Sequence, residues 1–245
     1  MTDSNGHSLV VADYWDKRGE TYGRSWRSVA KKHLSTWELN LVKQAFKNKK
    51  KTIKTLDIGI GTGRVSDEII RHRVTHYATD ISQAMIDYNR KKYRNSKRVK
   101  ILKVHDILNP LPKNWNEFDL VTAYRVLSYY PQLKTILKNI RRSMNDGGIL
   151  IFTYPNINSS VAISRFINHQ GWLGSEIGYN ELRKIVSDAG FSECRIVGCS
   201  RLLDVFYDWS DSHLTANLLF GIEKVLALIF GPTRFVRLFY IICKK

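Results

Sequence analysis

The sequence predicts a doubly wound α/β fold, in which helices cover both faces of a mostly parallel sheet. Short apolar runs of strand length alternate with segments of helical periodicity from residue 52 onwards, and the first strand breaks at a run of glycines. Strands that alternate with helices at this spacing favour parallel pairing. A chain of 245 residues with 43% hydrophobic and 25% charged residues has a globular composition and is long enough for a full core.

The predicted elements follow one another without an internal repeat or a linker. Residues 12–47 have helical character, with aromatic and aliphatic side chains among polar ones. Apolar strands are predicted after them at 52–58, 76–80, 99–104, 118–124, 149–154, 193–197 and 235–243. Helices are predicted between the strands at 65–72, 83–93, 133–144, 180–189 and 214–229, with Ser82 as an N-cap and Gly147-Gly148 as a stop.

The net charge of +17 is the most unusual bulk property of the chain. Two basic runs, at 47–51 and 90–100, contribute much of it. Both fall where helices are predicted to end, and cations there interact favourably with the helix dipole. Two interpretations stay open: a solvated basic surface, or a face that attracts nucleic acid, anionic lipid or an acidic substrate.

The three cysteines, Cys194, Cys199 and Cys243, lie late in the chain and form no C-x-x-C pair. This odd, sparse set argues against a disulfide framework and a zinc site, so no metal site is expected. Residues 1–8 are polar and lack the apolar core of a signal peptide. We therefore expect a cytoplasmic location.

The motif with the clearest chemistry is LDIGIGTG at 56–63, where a strand turns into a helix. Gly59, Gly61 and Gly63 let the backbone approach a ligand closely. The dinucleotide fingerprint G-x-G-x-x-G does not match, because Arg64 stands where its last glycine would be. A P-loop is excluded as well, since no Gly-Lys-Ser or Gly-Lys-Thr follows.

This segment resembles the first motif of the class I S-adenosylmethionine-dependent methyltransferases. The resemblance continues through ATDIS at 78–82, VHDI at 104–107, FDLV at 118–121 and GGIL at 147–150, and it covers residues 52–154. An ordered set of motifs is far more specific than a lone glycine motif. It implies a Rossmann-like sheet of seven strands with the last strand antiparallel, an N-terminal helical cap, and S-adenosylmethionine as cofactor.

The resemblance also implies a role for each matching position. Asp80 would accept hydrogen bonds from both ribose hydroxyls, and Asp106 would accept one from the adenine amino group. The adenine would further contact Ile81 and the backbone of Ile107. The methionine end would be held by Asp57, the backbone at Gly59, Gly61 and Gly63, and the segment at Tyr124 and Arg125. Capping alternatives stay open, since Asp80 could serve only as a helix cap and Asp106 only as a turn residue.

Aromatic residues near the N-terminus supply a further set of candidates. Tyr14 and Tyr22 resemble residues that close the cofactor site in small-molecule methyltransferases, and simple packing on the sheet is an equally good account of them. Transfer to a hydroxyl or an amine also needs a base. The catalytic candidates are Tyr124, Tyr129 and His169.

We predict one methyltransferase domain over 1–245, with a helical cap at 1–51, a cofactor-binding core at 52–154, and substrate-side insertions with the last two strands at 155–245. The expected acceptor is a small or lipid-like molecule, in natural-product, sugar or quinone biosynthesis, under a lid formed by 156–179 and 214–229. No transmembrane segment is expected, but 214–230 could contact a membrane surface.

Two other functions stay open. An RNA methyltransferase is supported only by the basic charge, because Ala123-Tyr124-Arg125-Val126 replaces the Asn/Asp-Pro-Pro-Tyr/Phe motif expected after strand four. A non-catalytic protein that binds S-adenosylmethionine as a partner subunit would carry the same glycine and aspartate residues. The sequence does not determine the oligomeric state or the methylated atom.

Overall fold

A computed structural model describes residues 4–22, 26–47, 51–167, 173–191 and 193–245 of the chain. Its strands are β1 (Ile53–Ile58), β2 (Val74–Asp80), β3 (Val99–Val104), β4 (Phe118–Ala123), β5 (Met144–Pro155), β6 (Glu193–Val197) and β7 (Leu238–Lys244). They form one seven-stranded sheet in the order β3-β2-β1-β4-β5-β7-β6. All pairs from β3 to β5 are parallel, and β7 runs antiparallel to both β5 and β6. The predicted fold class, including the antiparallel last strand, is confirmed.

Helices pack around the sheet, and two of them precede β1 at the N-terminus. They are α1 (Ser4–Tyr22), α2 (Val29–Ala45), α3 (Arg64–Ile69), α4 (Gln83–Lys92), α5 (Leu133–Ser143), α6 (Ser160–Ile167), α7 (Tyr179–Asp188), α8 (Asp204–Trp209) and α9 (His213–Phe230), with a 3₁₀ turn at Leu127–Tyr129. The apolar stripe of α5 shows the driving force: Leu133, Ile136, Leu137 and Ile140 are buried together in the main core.

The central strands set the position of the functional site. β1 lies between β2 and β4, parallel to both, and the chain winds in opposite directions away from it. The carboxyl ends of these strands therefore meet at the point where the strand order reverses, which is where open α/β sheets bind ligands. Buried strands such as β1, with Leu56 and Ile58 almost fully inaccessible, hold this edge rigidly.

Two predicted element boundaries were wrong. The single helix expected at 12–47 is two helices, because Ser28 caps α2 by accepting a hydrogen bond from the Lys31 backbone N–H. The helix does end before Gly147-Gly148, at Ser143, but the strand predicted at 149–154 begins earlier, because β5 starts at Met144 and the Gly147 N–H donates to the carbonyl of Lys245 beside β7. Long-range pairing there overrides the local signal of two glycines.

The expectation drawn from the cysteines also needs correction. Cys194 on β6 and Cys243 on β7 are directly paired across the sheet and form a disulfide, with their Cα atoms 4.2 Å apart. Cys199 alone is a free cysteine. An odd count of widely spaced cysteines did not predict this bond, because the pairing of β6 with β7 is not visible in the spacing.

Helix α9 is unusually apolar for a helix that is mostly exposed. Within the described residues it is a helix long and apolar enough to cross a membrane by length and composition, and only 17% of it is buried. Glu223 and Lys224 do not lower its hydropathy below that range, which corrects the expectation that the charges exclude a spanning segment. One face packs on α2 through Ala216 and Leu219.

Hydrogen bonds of Glu223 hold the packed face of α9 against the segment at 201–207. Its carboxylate accepts hydrogen bonds from the Arg201 backbone N–H at 2.7 Å, the Leu202 backbone N–H at 3.0 Å and the Tyr207 hydroxyl. The Arg201 guanidinium lies 3.4 Å away, and both charged side chains are 4% exposed. A buried carboxylate with this many donors is stabilising only as long as the set stays complete.

We predict that Glu223→Ala lowers the free energy of unfolding by about 3–5 kcal/mol, because Arg201 would remain buried without its counter-charge. Urea unfolding followed by circular dichroism measures this loss. Lys224→Ala on the exposed side of the same helix is the matched control and should change stability by less than about 0.5 kcal/mol. Similar losses in both variants would contradict the role given to Glu223.

Candidate functional site

A cavity opens at the carboxyl ends of β1, β2 and β4, at the switch point of the sheet. Its floor is the glycine turn after β1, and its walls are the end of β2, the segment after β4 and the N-terminal helix. The lining includes Val11, Trp15, Trp26, Asp57, Gly59, Gly61, Arg64, Asp80, Ile81, Met85, Tyr124, Arg125, Val126, Tyr129 and Tyr130. Aromatic and aliphatic walls with a few converging polar groups are typical of small-ligand sites.

The glycine turn requires its glycines. Gly59 has a φ of 70°, and a Cβ placed there would lie 2.8 Å from the Val126 side chain. Gly63 has a φ of 82°, and a Cβ there would lie 2.5 Å from the Tyr93 hydroxyl. Gly61 also adopts a positive φ, but open space surrounds its Cβ position. Backbone strain and close approach therefore both select glycine at 59 and 63.

Asp80 braces this turn from the end of β2. One carboxylate oxygen accepts from the Gly61 backbone N–H at 2.8 Å, and the other accepts from the Ser82 backbone N–H at 3.0 Å. Burial raises the pKa of Asp80 above its usual value, and the backbone hydrogen bonds offset part of that rise. Because each oxygen has a second lone pair, the carboxylate that lines the cavity can accept two further hydrogen bonds from a ligand.

Asp57 lies at the end of β1, almost completely buried below the turn. It accepts hydrogen bonds from the Ser66 and Thr122 hydroxyls, both at 2.7 Å. Burial raises its pKa to about 6, despite the two hydroxyl donors. The site therefore contains a carboxyl group that titrates near neutral pH.

A buried histidine continues the network beneath Asp57. His76 lies 2.9 Å from the Ser66 hydroxyl through Nε2 and 2.8 Å from the Thr55 hydroxyl through Nδ1. Burial lowers the pKa of His76 to about 3, so the ring is neutral. Because Ser66 donates to Asp57, the ring proton belongs on Nε2, where it donates to Ser66. This chain fixes the orientation of the Asp57 carboxylate.

A cluster around Glu38 forms the opposite rim of the cavity. Its fully buried carboxylate binds the guanidinium groups of Arg64 and Arg125 and accepts from the Tyr240 hydroxyl. Burial alone would raise the pKa of Glu38, but the charges of Arg125 and Arg64 hold it below its usual value. Both guanidinium groups also stack on Trp26, at 4.2 and 4.6 Å from the ring centroid.

The N-terminal helix covers part of the cavity, as the resemblance implied, but through residues other than those predicted. Trp15 lines the cavity and contacts the Tyr129 ring edge-to-face at 5.7 Å. Asp16 accepts from the Ala84 backbone N–H at 3.2 Å and from the Ser82 hydroxyl, which holds α1 against α4. Tyr14 instead pairs with Arg18 and is not among the lining residues. Tyr22 ends α1, and its side chain lies outside the described residues.

Asp106 and Ile107 do not reach the cavity lining. Asp106 accepts from the Leu108 backbone N–H at 3.0 Å, as a turn residue does, and Ile107 is buried in the main core. Ile81, by contrast, lines the cavity as predicted. The roles assigned to Asp106 and Ile107 stay predictions, and the arrangement favours the turn alternative for Asp106.

The catalytic candidates do not form one group. Tyr124 donates to the Glu38 carbonyl at 3.3 Å, and burial together with the Glu38 charge raises its pKa, so the hydroxyl stays protonated and does not take up a proton from an acceptor. Tyr129 lines the cavity beside Tyr130, whose pKa burial also raises. His169 lies outside the described residues. The predicted lid segments 156–179 and 214–229 contribute no described residue to the cavity lining.

The roles of Trp15 and of the Glu38 cluster were not predicted from the sequence, although the sequence contains a signal for Glu38. Buried positions on α2 recur at Ala30, Leu34, Leu41 and Ala45, and Glu38 falls on the same stripe. A single acid within the apolar stripe of a helix predicts a buried ion pair, because an isolated buried charge is too costly. Nothing in the spacing identifies Arg64 and Arg125 as its partners.

The residues present fit S-adenosylmethionine. Asp80 offers acceptor capacity for a ribose, Asp57 and the glycine backbone lie beside it, and apolar side chains such as Ile81 and Met85 line the same wall. In addition, nothing lies within 4 Å of the Cβ position of Gly61, so the backbone of the turn is open to a ligand there. The cavity therefore has hydrogen-bond acceptors, a backbone floor and an apolar wall, which are the kinds of group that this molecule requires.

Known methyltransferases are similar to this chain in sequence. A family model described as "Methyltransferase domain" matches residues 56–150. A ubiquinone biosynthesis O-methyltransferase of Coxiella burnetii is 24% identical over 184 residues, which cover 74% of this chain and 70% of that protein. A hybrid PKS-NRPS synthetase of Penicillium oxalicum is 29% identical over 155 residues, 60% of this chain and 4% of the synthetase.

Solved structures share the fold. The magnesium protoporphyrin IX methyltransferase from Synechocystis PCC 6803 with bound SAH matches with a TM-score of 0.67 and 15% identity, over 97% of this chain and 99% of that one. The citrinin polyketide synthase CMeT domain matches with a TM-score of 0.61 and 17% identity. This chain spans about half of that structure, 52% of its length, while 86% of this chain is covered.

We predict that Asp80→Ala weakens binding of S-adenosylmethionine more than Asp106→Ala does. Two charge-assisted hydrogen bonds from ribose hydroxyls contribute about 2–4 kcal/mol, so the dissociation constant should rise by at least about thirtyfold. Titration calorimetry measures both variants, and Asp87→Ala on the exposed face of α4 is the control. Negligible losses in both variants would reduce these carboxylates to capping roles, and a larger loss for Asp106→Ala would contradict the predicted order.

The raised pKa of Asp57 predicts a dependence of stability on pH. Its folded-state pKa of about 6 exceeds the ordinary value, so its contribution to stability is present at low pH and is lost as pH rises through 6. Between about pH 5 and pH 8, wild type should lose about 1–1.5 kcal/mol relative to Asp57→Asn. Urea unfolding of both proteins across this range measures the difference. A difference that does not change with pH would contradict the raised pKa.

Proposed function

We propose that this chain, which belongs to the class I S-adenosylmethionine-dependent methyltransferases, methylates a small or lipid-like acceptor. The observation that carries the proposal is the covered cavity: α1 lies across it, held by the contact of Trp15 with Tyr129 and by the hydrogen bonds of Asp16. A compact, partly covered cavity suits a molecule that enters it whole.

The chain's own residues divide into those that hold the cofactor and those that face the acceptor. When bound, S-adenosylmethionine supplies a methyl group on a positively charged sulfur. Asp80 would hold its ribose, and Asp57 with the backbone at Gly59 and Gly61 would hold its methionine end. Catalysis by such a site is mainly positioning and exclusion of water.

The acceptor side of the cavity is aromatic. Trp15, Tyr129 and Tyr130 line it together with Val126. Flat apolar walls of this kind favour an acceptor with a ring or an acyl chain over a highly charged one. Tyr129 remains the proposed contact for the reacting group, whereas Tyr124 is better placed to support Glu38.

The relatives support the same class of acceptor. They include an O-methyltransferase named for ubiquinone biosynthesis and synthetases named for polyketide and nonribosomal peptide assembly. These names favour a quinone-like or polyketide-like acceptor for this chain, and they do not identify a single compound. The absence of the base-stacking motif after β4 disfavours the nucleic-acid alternative, for which the charge of +17 is the remaining argument.

Two further parts of the proposal concern the whole chain. We propose that residues 1–245 act as one methyltransferase domain, which the single sheet from β1 to β7 supports. We also propose a cytoplasmic location. The Cys194–Cys243 disulfide argues against this location, because disulfides persist mainly in oxidising compartments, whereas in the cytoplasm all three cysteines would be free thiols. Counting free thiols in protein isolated under thiol-blocking conditions tests it.

An acceptor panel tests the proposed function. The purified chain is incubated with S-adenosylmethionine and hydroxylated quinone precursors, acyl compounds, sugars, small amines, bulk tRNA, rRNA and DNA, each at low and high salt. We expect methylation of a small acceptor that changes little with salt and is lost in Asp80→Ala. Nucleic-acid binding, in contrast, falls steeply with salt because each neutralised phosphate releases counterions.

The other outcomes of this assay decide between the alternatives. Salt-sensitive methylation of RNA or DNA, with none on small acceptors, would replace the proposal by the nucleic-acid function. Tight cofactor binding with no transfer to any acceptor class would favour the non-catalytic partner subunit.

A further inference from the structure

Helix α9 exposes an apolar face directly opposite the face that packs on the protein. Its buried residues Ala216, Leu219 and Glu223 lie on one side of the helix. At about 100° per residue, the opposite side carries a second apolar stripe. That stripe consists of Leu214 (80% exposed), Leu218 (66%), Ile222, Val225, Leu228 (86%) and Ile229. The exposed face of α9, defined by these six residues, is therefore not part of the core.

The neighbouring helix α8 also exposes large apolar side chains. Helix α8 contacts α9 through the Tyr207–Glu223 hydrogen bond, and it exposes Phe206 and Trp209. Trp209 is 78% exposed. Large apolar side chains concentrated on adjoining helices are unusual on a free soluble surface and indicate a binding face. Tryptophan beside aliphatic residues is typical of elements at the membrane–water interface.

The charges around the exposed face identify its partner. Lys224 on α9 and Arg234 after it are exposed cations, and Asp211 before α9 is an exposed acid. On α8, Asp204 pairs with Arg237 and Asp208 pairs with Lys31. The acid within α9 is Glu223. That acid is buried among its hydrogen-bond donors, so the exposed face of α9 carries no acidic group. Lys224 lies on α9 itself, beside the apolar stripe, and is exposed. The net charge of the whole chain is +17. An apolar face with cationic surroundings is complementary to anionic lipid.

We propose that the exposed face of α9, together with Trp209, docks in the plane of a membrane that contains anionic lipids. The helix lies on the membrane and does not cross it, because crossing would detach Glu223 from Arg201, Leu202 and Tyr207. Docking goes beyond the proposed methyl transfer and does not depend on it.

Vesicle binding of the full chain tests the proposal, without acceptor or cofactor. Flotation is measured with vesicles of phosphatidylcholine alone and of phosphatidylcholine mixed with phosphatidylglycerol. The test variant replaces the three most exposed leucines, Leu214→Gln, Leu218→Gln and Leu228→Gln, and the matched control is Leu9→Gln with Val10→Gln on α1. Glutamine preserves helix propensity, so both variants should fold, which circular dichroism verifies.

We expect the wild type and the α1 control to bind the anionic vesicles much more strongly than the neutral ones. Each fully buried leucine contributes at least about tenfold to partitioning, so three partly inserted leucines predict a loss of roughly a hundredfold in the α9 variant. Lys224→Gln should weaken binding to anionic vesicles by about fivefold and leave neutral vesicles unaffected. Alkaline carbonate should release the bound protein.

Four results would overturn the proposal. The first is no vesicle binding by the wild type, and the second is equal binding by the wild type and the α9 variant. The third is a dimer in sedimentation equilibrium that the α9 variant loses while neither protein binds vesicles, which would assign the face to a second copy of the chain. Resistance to carbonate would likewise contradict in-plane docking and indicate a spanning helix. None of these results depends on whether methyl transfer occurs.

Discussion

The buried carboxylate of Glu38 is the constraint on which the site depends. It joins α2 to Arg64 at the start of α3, to Arg125 after β4 and to Tyr240 on β7. These elements are far apart in the chain, and two of the residues they supply, Arg64 and Arg125, line the cavity. Because a buried charge is tolerated only with its partners in place, the ion pairs hold the glycine turn and the segment after β4 in one relative position.

The backbone of Arg125 is strained in this arrangement. It adopts a left-handed backbone conformation, with φ at 58°, which is unfavourable for a residue with a side chain. Its backbone N–H donates to the Thr153 hydroxyl at 2.7 Å, and its guanidinium reaches Glu38 and Trp26. Several contacts therefore hold the strained residue, and that strain coincides with the cavity wall, as is common at functional sites.

Sequence reasoning predicted the sheet, the glycine turn and Asp80, because these depend on local patterns and ordered motifs. It placed Tyr14 in the site where the structure places Trp15, since one step along a helix turns a side chain by about 100°. Glu38 and Glu223 share a signal that was present but unused: each is an acid on the buried stripe of its helix. Their partners depend on tertiary contacts, which no local pattern contains.

The electrostatics of the cavity suit a cationic ligand. Asp57 and Asp80 are both buried at its floor, and burial raises both pKa values, with the Asp80 charge adding to the rise at Asp57. The nearest cations, Arg64 and Arg125, are already committed to Glu38, so they relieve this cost only in part. A ligand that carries positive charge on an ammonium and a sulfur would stabilise the ionised carboxylates directly. The same two acids would discriminate against ligands whose negative charge approaches the cavity floor, because like charges in a buried site repel strongly. The cost of burying two carboxylates is therefore offset when the cofactor binds, which couples the stability of the glycine turn to the occupancy of the site.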